Sequence, residues 1–157
     1  MKTPSRFAQI IPAALVLLAS TAALAQTPPA ACEKVTEQEV SALFDRWNTS
    51  LKTLDPMRVA ANYAPKTVLL ATVANEPLTT QAEISAYFSK FLKAEPQGTI
   101  NKRFVTLGCN TAQDVGTYTF SLKDGSKVAA RYTFDYVFTG GEWKISHHHS
   151  SAFPEKS

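Results

Sequence analysis

Three consecutive histidines near the end of the chain, His147, His148 and His149, are its densest group of side chains that can do chemistry. Imidazole acts near neutral pH as a general acid or base, as a metal ligand or as a hydrogen-bonding group. A serine pair follows the run, and an arginine and two tyrosines lie on segments that can pack beside it. The predicted ligand-binding residues are Tyr63, Tyr118, Arg131, His148, His149 and Ser150.

Two glycine-bearing turns determine which of these side chains would share a face of a sheet. Asp124-Gly125 and Gly140-Gly141 are flanked by alternating residues, the pattern of two-residue β-hairpin turns. Counting outward from these turns, Arg131 faces Tyr118 on one neighbouring strand and Ser150 on the other. The predicted polar patch consists of Tyr118, Arg131, Thr133, His148 and Ser150.

An arginine placed mid-sheet among hydroxyls and apolar side chains needs a partner, because a buried charge must be paired. One interpretation is a pocket for an anion, in which the Arg131 guanidinium binds a carboxylate in fork geometry. Two alternatives are a solvated outer face, where Arg131 pairs with Asp135 or another acid, and a cation–π pair of Arg131 with Tyr118. The sequence leaves all three open, because it does not say which face the helices cover.

The histidine run has catalytic and metal-binding interpretations. A catalytic one makes His148 or His149 the general base of an isomerase- or cyclase-type enzyme, with its pKa set by burial and by Arg131. His147 and His149 would share a strand face, as two zinc ligands do, but no third ligand is indicated, so neither a metal site nor a cofactor is predicted. A β-bulge in this strand would change which histidine faces which side.

The N-terminus has the pattern of a cleavable secretory signal. Lys2 and Arg6 precede a largely apolar run over 7–24, and an Ala-Leu-Ala motif of the small-x-small type ends it. We therefore expect a signal peptide over 1–25. The protein is expected to be exported, to the periplasm or out of the cell, with no membrane segment after cleavage.

The rest of the chain has the size and charge of one small domain. Positions 26–157 hold 132 residues, with 14 basic and 13 acidic side chains and a formal charge of +1. Basic residues do not cluster with aromatic ones, so a nucleic-acid partner is not expected. We expect a flexible leader over 26–34 and a domain over 35–157. A disulfide between Cys32 and Cys109 is predicted, as is usual for a cysteine pair in an oxidising compartment.

Local patterns predict helices first and a sheet second. Capping boxes that start at Thr36 and Thr80 begin two helices, and Asp55-Pro56 begins a short one over 57–63. An apolar run rich in β-branched residues predicts a strand over 67–73. Alternating residues predict four further strands, over 99–107, 115–123, 126–138 and 142–151. This order predicts an α+β fold, with helices packed on one face of a curved antiparallel sheet.

Several short segments carry a family likeness in the expected order. They are Leu-Phe-x-Arg-Trp-Asn at 43–48, Tyr-Ala at 63–64, Ala-Arg-Tyr-Thr-Phe at 130–134, Gly-Glu-Trp-Lys-Ile at 141–145, the histidines and serines of 147–151, and Pro154. In these segments the chain resembles the association domain of calcium/calmodulin-dependent protein kinase II. It resembles still more closely the bacterial relatives of that domain in the nuclear transport factor 2-like (SnoaL-like) superfamily.

The resemblance implies a cone-shaped fold, in which N-terminal helices close a strongly curved sheet over a pocket. It also implies self-association through the sheet, as a homodimer or a larger homo-oligomer. Arginines line the pocket of the kinase domain; Tyr118 and Ser150 fall near such positions here, and Arg131 would supply the charge instead.

The leading expectation is an exported pocket protein that self-associates and binds a small acidic organic ligand. The alternatives are a SnoaL-like isomerase or cyclase with a histidine general base, and a purely structural oligomerisation module.

Overall fold

The computed structural model describes residues 31–154. The predicted signal peptide and positions 26–30 of the predicted leader lie outside this range. In chain order the described elements are α1 (Glu37–Leu51), α2 (Pro56–Ala60), β1 (Tyr63–Leu70), α3 (Gln81–Phe91), the 3₁₀ turn Leu92–Ala94, β2 (Gln97–Leu107), β3 (Thr111–Ser121), β4 (Lys127–Thr139) and β5 (Glu142–Ala152).

The helices begin where the capping signals predict. The Glu39 carboxylate accepts from the Thr36 backbone N–H at 2.8 Å, and the Thr36 hydroxyl accepts from the Glu39 N–H at 3.2 Å. Thr80 and Glu83 repeat this box at the start of α3, and Asp55 caps α2. These bonds satisfy backbone donors that a helix start leaves free. Within residues 31–154, no helix is both long and apolar enough to cross a membrane.

The predicted boundary between the second helix and the first strand is wrong. Tyr63 begins β1 instead of ending α2, and Pro65 lies inside the strand. The Asn62 carbonyl accepts from the Ile145 N–H at 2.9 Å, which starts the pairing with β5 directly after the helix. Pro65 is tolerated because β1 is an edge strand and its pairing is interrupted between Tyr63 and Val68.

The strands form one mixed sheet in the order β1-β5-β4-β3-β2. Strands β2 to β5 are antiparallel neighbours, as the sequence predicts, and β1 joins the free edge of β5 in parallel. Buried residues of all three helices and of one sheet face form a single core cluster. The predicted α+β fold is confirmed, with a parallel edge strand added to the expected antiparallel sheet.

The turn between β3 and β4 is one residue longer than predicted. Leu122 donates its N–H to the Ser126 carbonyl at 3.0 Å, so three residues form the loop, and Gly125 closes it with a φ of +84°. This is the three-residue hairpin in which a left-handed glycine follows a turn. The extra residue shifts the register, so Tyr118 pairs with Ala130 instead of Arg131.

The turn between β4 and β5 matches the prediction only near its glycines. Phe138 pairs with Trp143 and Tyr136 with Ile145, as expected. A bulge follows, and beyond it Phe134 pairs with His148, where His147 was predicted. Since side chains alternate along a strand, one inserted residue exchanges the faces of everything beyond it.

The inner face of the sheet is mainly aromatic. Its buried residues in β3, β4 and β5 include Tyr118, Phe120, Tyr132, Phe134, Tyr136, Ile145 and His148. Trp47 of α1 lies edge-on against Phe134, with ring centroids 5.3 Å apart. Gly116 pairs with Arg103, next to a bulge in β2 between Ile100 and Lys102, and a Cβ on this glycine would lie 1.9 Å from the Lys102 carbonyl oxygen. Only glycine permits this close approach, which accompanies the irregularity in the sheet.

The predicted disulfide is present. Cys32 and Cys109 are bonded, with Cα atoms 4.9 Å apart, and join the segment before α1 to the turn between β2 and β3. Asn110 reinforces this link, because its side-chain amide oxygen accepts from the Glu33 N–H at 2.6 Å. The segment that enters α1 is thereby attached to the far edge of the sheet.

Candidate functional site

A cavity of about 720 Å³ lies between α3 and the inner face of the sheet. Its lining is predominantly apolar, with side chains from α1, α3, β1 and the segment after it, and the three strands β3 to β5. Representative lining residues are Trp47, Leu69, Tyr87, Phe91, Phe120 and Ala130. Glu83 and Lys90 are the charged residues of the lining, and both are exposed positions of α3. The interior of the cavity is therefore mainly apolar and carries no charged side chain.

His148 is the buried polar residue of this cavity wall. It is 3% exposed, and its Nδ1 lies 2.8 Å from the Tyr63 hydroxyl. Its ring stacks on Phe134 with centroids 4.0 Å apart and meets the Trp47 ring edge-on. The other ring nitrogen, Nε2, is buried and has no hydrogen-bond partner among residues 31–154. An unpaired buried polar atom is rare in proteins and needs an explanation.

The imidazole is neutral at physiological pH. Burial, together with a smaller effect of the adjacent His147 and His149, lowers the pKa of His148 to about 3. Burial also raises the pKa of the Tyr63 hydroxyl well above its usual value. The Tyr63–His148 pair thus consists of two neutral groups, as an apolar cavity requires.

A second polar group in the wall is a cluster of three hydroxyls. Tyr118 donates to the Ser150 Oγ at 2.6 Å, and the Thr72 hydroxyl donates to the same oxygen at 3.0 Å. Burial raises the pKa of Tyr118 above its usual value, so this phenol also stays neutral. Because His148 and Ser150 are two residues apart on one strand, both polar groups face the same side.

The structure brings together four of the six predicted ligand-binding residues. Tyr118, His148 and Ser150 line the cavity, and Tyr63 supports His148 from behind. The two remaining residues, Arg131 and His149, lie on the opposite, outer face of the sheet.

The predicted convergence of Arg131 with Tyr118 is wrong. Arg131 is exposed, and its guanidinium donates to the Ala152 carbonyl at 3.2 Å. The longer turn after β3 and the bulge in β5 give Thr117 and Ser151 as its partners, in place of Tyr118 and Ser150. Its predicted role as the anchor of an anion depended on sharing a pocket with Tyr118, and it does not share one.

His147 and His149 also lie on the outer face. The His147 Nδ1 is 3.4 Å from one carboxylate oxygen of Asp135. The other oxygen of that carboxylate accepts a hydrogen bond from the Gln113 side-chain amide. His149 pairs with Thr133 in the strand register. In the part of the chain that the structure describes, no group of three or more His, Cys, Asp or Glu residues is placed to hold a metal ion.

Sequence reasoning missed a buried ion pair at the inner face. The Asp114 side chain is fully buried and meets the Arg103 guanidinium at 3.0 Å, while the Tyr132 hydroxyl donates to it at 2.8 Å. Alternation along β3 could have revealed it, because Asp114 shares the parity of Tyr118 and Phe120. The pair lies outside the lining of this cavity.

Comparisons with known proteins identify the fold. The calcium/calmodulin-dependent protein kinase II association-domain family matches residues 36–154. A Xanthomonas campestris structure assigned to that family is 47% identical, covers 83% of this chain and 95% of its own, and superposes with a TM-score of 0.74.

Two more distant structures share the fold alone. A nuclear transport factor 2-like protein of unknown function from Pseudomonas putida is 20% identical, with a TM-score of 0.66 over 76% of this chain and 89% of its own. A Nostoc punctiforme protein with a cystatin-like fold is 14% identical, with a TM-score of 0.67 over 80% and 96% of the two chains. No curated protein sequence matches the chain.

The low pKa of His148 predicts a specific loss of stability in acid. Between pH 6.5 and about 3, the unfolded chain binds a proton at this residue and the folded chain does not. Stability rises with pH wherever the unfolded state binds more protons, so His148 contributes a slope of about 1.4 kcal/mol per pH unit in this window. Urea unfolding between pH 4.5 and 5.5 measures that slope.

The matched variant is His148→Phe. It also loses the hydrogen bond to Tyr63, but this loss lowers the free energy of unfolding by the same amount at every pH. Carboxylates titrate equally in both proteins, so the wild type should show the steeper dependence by about 1.4 kcal/mol per pH unit. Equal slopes would contradict the prediction, because they would mean that His148 has the same pKa in the folded and the unfolded protein.

Proposed function

Because the chain belongs to the calcium/calmodulin-dependent protein kinase II association-domain family, we propose that it is a self-associating pocket protein. It binds a small, mainly apolar organic molecule in the cavity between α3 and the sheet. The observation that carries this proposal is a cavity of about 720 Å³ with a predominantly apolar lining and a few polar side chains, among them His148 and Ser150. Ligand pockets combine an apolar lining with a few polar groups in this way.

The geometry favours a neutral ligand over the acidic one that the sequence suggests. A carboxylate inside the cavity would be removed from water without a cation beside it, which is costly. Lys90 lies at an exposed position of the lining, and Arg131 lies on the other side of the sheet. The polar groups that remain inside are neutral hydroxyls and a neutral imidazole, which suit an uncharged molecule.

Binding also fits the site better than proton transfer does. A general base works best when its pKa lies near the working pH, and burial lowers the pKa of His148 to about 3. An imidazolium formed there would lack a neighbouring carboxylate, since Glu83 is the acidic residue of the lining and is exposed. A purely structural module, in turn, would not require so large a cavity.

We further propose that the protein works outside the cytoplasm. The Cys32–Cys109 bond supports this, because disulfides persist in oxidising compartments and are rare in the cytosol. The charged and apolar pattern of 1–25 is the segment that would direct export.

The outer face of the sheet is the surface proposed for self-association. A row of side chains in register crosses all five strands: Phe104, Val115, Thr133, His149 and Leu70. Phe104 is 61% exposed in the middle of β2, and Leu70 is 38% exposed. An aromatic and two aliphatic side chains along one row of an open sheet face suit a second copy of the same surface.

Blocking the cavity tests the ligand proposal. Ala86 lines the cavity from an exposed position on α3, so Ala86→Trp should fill its mouth without disturbing the core. We expect N-phenyl-1-naphthylamine, a neutral dye that fluoresces in apolar surroundings, to bind the wild type and to lose at least about tenfold in affinity in the variant. Fluorescence titration measures the dissociation constants.

The matched control is Ala82→Trp, an exposed residue of the same helix outside the lining, which should bind the dye as the wild type does. Equal affinity in all three proteins would place the dye elsewhere and contradict the proposal. If small carboxylates bind the wild type and Arg131→Ala abolishes that binding, the ligand would be acidic, as the sequence suggests.

Charging the outer face tests self-association. Phe104→Glu should place carboxylates from both copies inside the proposed interface, where their burial and repulsion oppose assembly. Light scattering during gel filtration should therefore show a smaller particle than the wild type.

Met57→Glu is the control, because Met57 is 65% exposed on α2, away from the sheet. This variant should keep the wild-type mass. A wild type that is monomeric at micromolar concentration, or an assembly that Phe104→Glu leaves intact, would refute the proposed interface.

A further inference from the structure

The outward side chains of β4 form a self-complementary series. Side chains alternate along a strand, and the buried Tyr132 and Phe134 place the even-numbered residues on the inner face. The odd-numbered residues of the outer face are, in chain order, Ala129, Arg131, Thr133, Asp135 and Val137. From the central hydroxyl outward, the series has opposite charges two positions away and aliphatic side chains four positions away.

The two charges of this series cannot meet within one chain. Arg131 and Asp135 are four residues apart on an extended strand, so their Cα atoms lie about 13 Å apart. The Arg131 guanidinium donates to the Ala152 carbonyl and has no acidic partner among residues 31–154. Because a guanidinium has five N–H donors, most of them remain available to a second molecule.

The Asp135 carboxylate also keeps acceptor capacity. One of its oxygens accepts from the Gln113 side chain at 2.8 Å, and the other lies 3.4 Å from the His147 Nδ1. A carboxylate offers about four lone-pair positions, so it can accept from an arginine as well. Both charged groups of the series are therefore open to a partner on the outer face.

The neighbouring strands extend the series into three rows in register. The central row contains Phe104, Thr133 and Leu70, and Thr133 lies at its middle because β4 is the third of five strands. On one side lies a row of Lys102, Thr117, Arg131 and Ser151. On the other side lies a row of Thr106, Gln113, Asp135, His147 and Val68. Within these rows, the two cations and the carboxylate lie on opposite sides of the centre.

This distribution of charge distinguishes two symmetric ways of pairing two copies. In a symmetric dimer of facing sheets, a two-fold axis lies in the plane of the interface. An axis along the strand direction through β4 would set Arg131 against the partner's Arg131 and Asp135 against the partner's Asp135. Like charges that face each other across an interface are costly. The outer face therefore disfavours this arrangement.

An axis along the central row gives the opposite result. The two β4 strands then run antiparallel, and each residue before Thr133 faces the residue equally far beyond it in the other copy. Arg131 faces the partner's Asp135, and Ala129 faces the partner's Val137. Symmetry repeats both contacts, so the interface contains two equivalent ion pairs.

The other strands fit the same axis. Residues of the central row lie on it and face their own counterparts, so Phe104 meets the partner's Phe104 and Val115 the partner's Val115. Phe104 is 61% exposed in the single chain, and its removal from water favours association. Lys102 faces the partner's Thr106. Within the three rows, no charged side chain is set against a like charge.

We propose that two copies pair outer face to outer face about a two-fold axis along the central row, with reciprocal ion pairs between Arg131 of each copy and Asp135 of the other. The inference rests on the proposed self-association and names the contacts and the orientation of that interface. The apolar side chains of the central row supply the buried area, and the ion pairs fix how the two sheets are oriented.

Charge reversal tests the pairing. Arg131→Asp sets two carboxylates against each other at both contacts, and Asp135→Arg sets two guanidinium groups against each other. Each variant should raise the dissociation constant of the dimer by at least about tenfold. The double variant exchanges the charges and should return the constant to within about threefold of the wild type. Sedimentation equilibrium measures these constants.

A mixture of the two single variants is the sharpest form of the test. Each variant opposes its own pairing, but the two acidic side chains of one face the two arginines of the other. Native mass spectrometry distinguishes the mixed dimer from both homodimers by mass. In an equimolar mixture we expect the mixed dimer well above its statistical share.

Arg58→Asp is the matched control, because it changes the net charge equally at an arginine of α2 whose side chain is 71% exposed. It should keep the wild-type constant. Arg131→Gln and Asp135→Asn guard against a reversal variant that folds poorly. Each should weaken the dimer, and their effects should not add, since both break the same ion pair.

The outcomes separate the ion pairs from the interface itself. A dimer that Phe104→Glu disrupts but both reversals leave intact would overturn the ion pairs and leave the outer face standing as the interface. Reversals that neither the double variant nor the mixture rescues would do the same. A monomeric wild type, or an assembly that Phe104→Glu leaves intact, would overturn the proposed interface and this inference with it.

Discussion

The candidate site depends on a single extra residue in β5. The bulge after Ile145 turns His148 toward the core and places its two histidine neighbours on the outer face. The imidazole then occupies an aromatic environment, where its charged form is strongly disfavoured and its hydrogen bonds are few. Its hydrogen bond to Tyr63 links β5 to β1, the parallel edge strand. The same contact therefore holds the edge strand to the sheet and fixes the orientation of His148 in the cavity wall.

The sequence predicts those features of the fold that depend on local interactions. Each helix start is specified by a capping residue within four positions of it, and the structure has all three. Which face of the sheet a strand residue occupies depends instead on the number of residues between it and the nearest turn. The Asp124-Gly125 pair fits a two-residue and a three-residue turn equally well, and only the packed sheet decides between them.

The errors in the predicted site follow from miscounting the residues between the turns and the site. One extra residue in the β3–β4 turn and one in β5 are enough to place Arg131 on the outer face of the sheet and Tyr118 on its inner face. The residue types of the site were still recognisable, since Tyr63, Tyr118, His148 and Ser150 were all candidates. What changed is their chemistry: without the guanidinium, the polar groups of the cavity wall are neutral. A buried charge does exist, but Arg103 is paired with Asp114 and lies outside the cavity lining.

A neutral ligand in the cavity between α3 and the sheet is tested most directly by a crystal structure of the protein with 6-bromo-2-acetylnaphthalene, because anomalous scattering locates the bromine independently of the fitted shape. We expect the bromine inside the cavity, among the apolar side chains of its lining. Bromine bound outside the cavity would contradict a ligand site there.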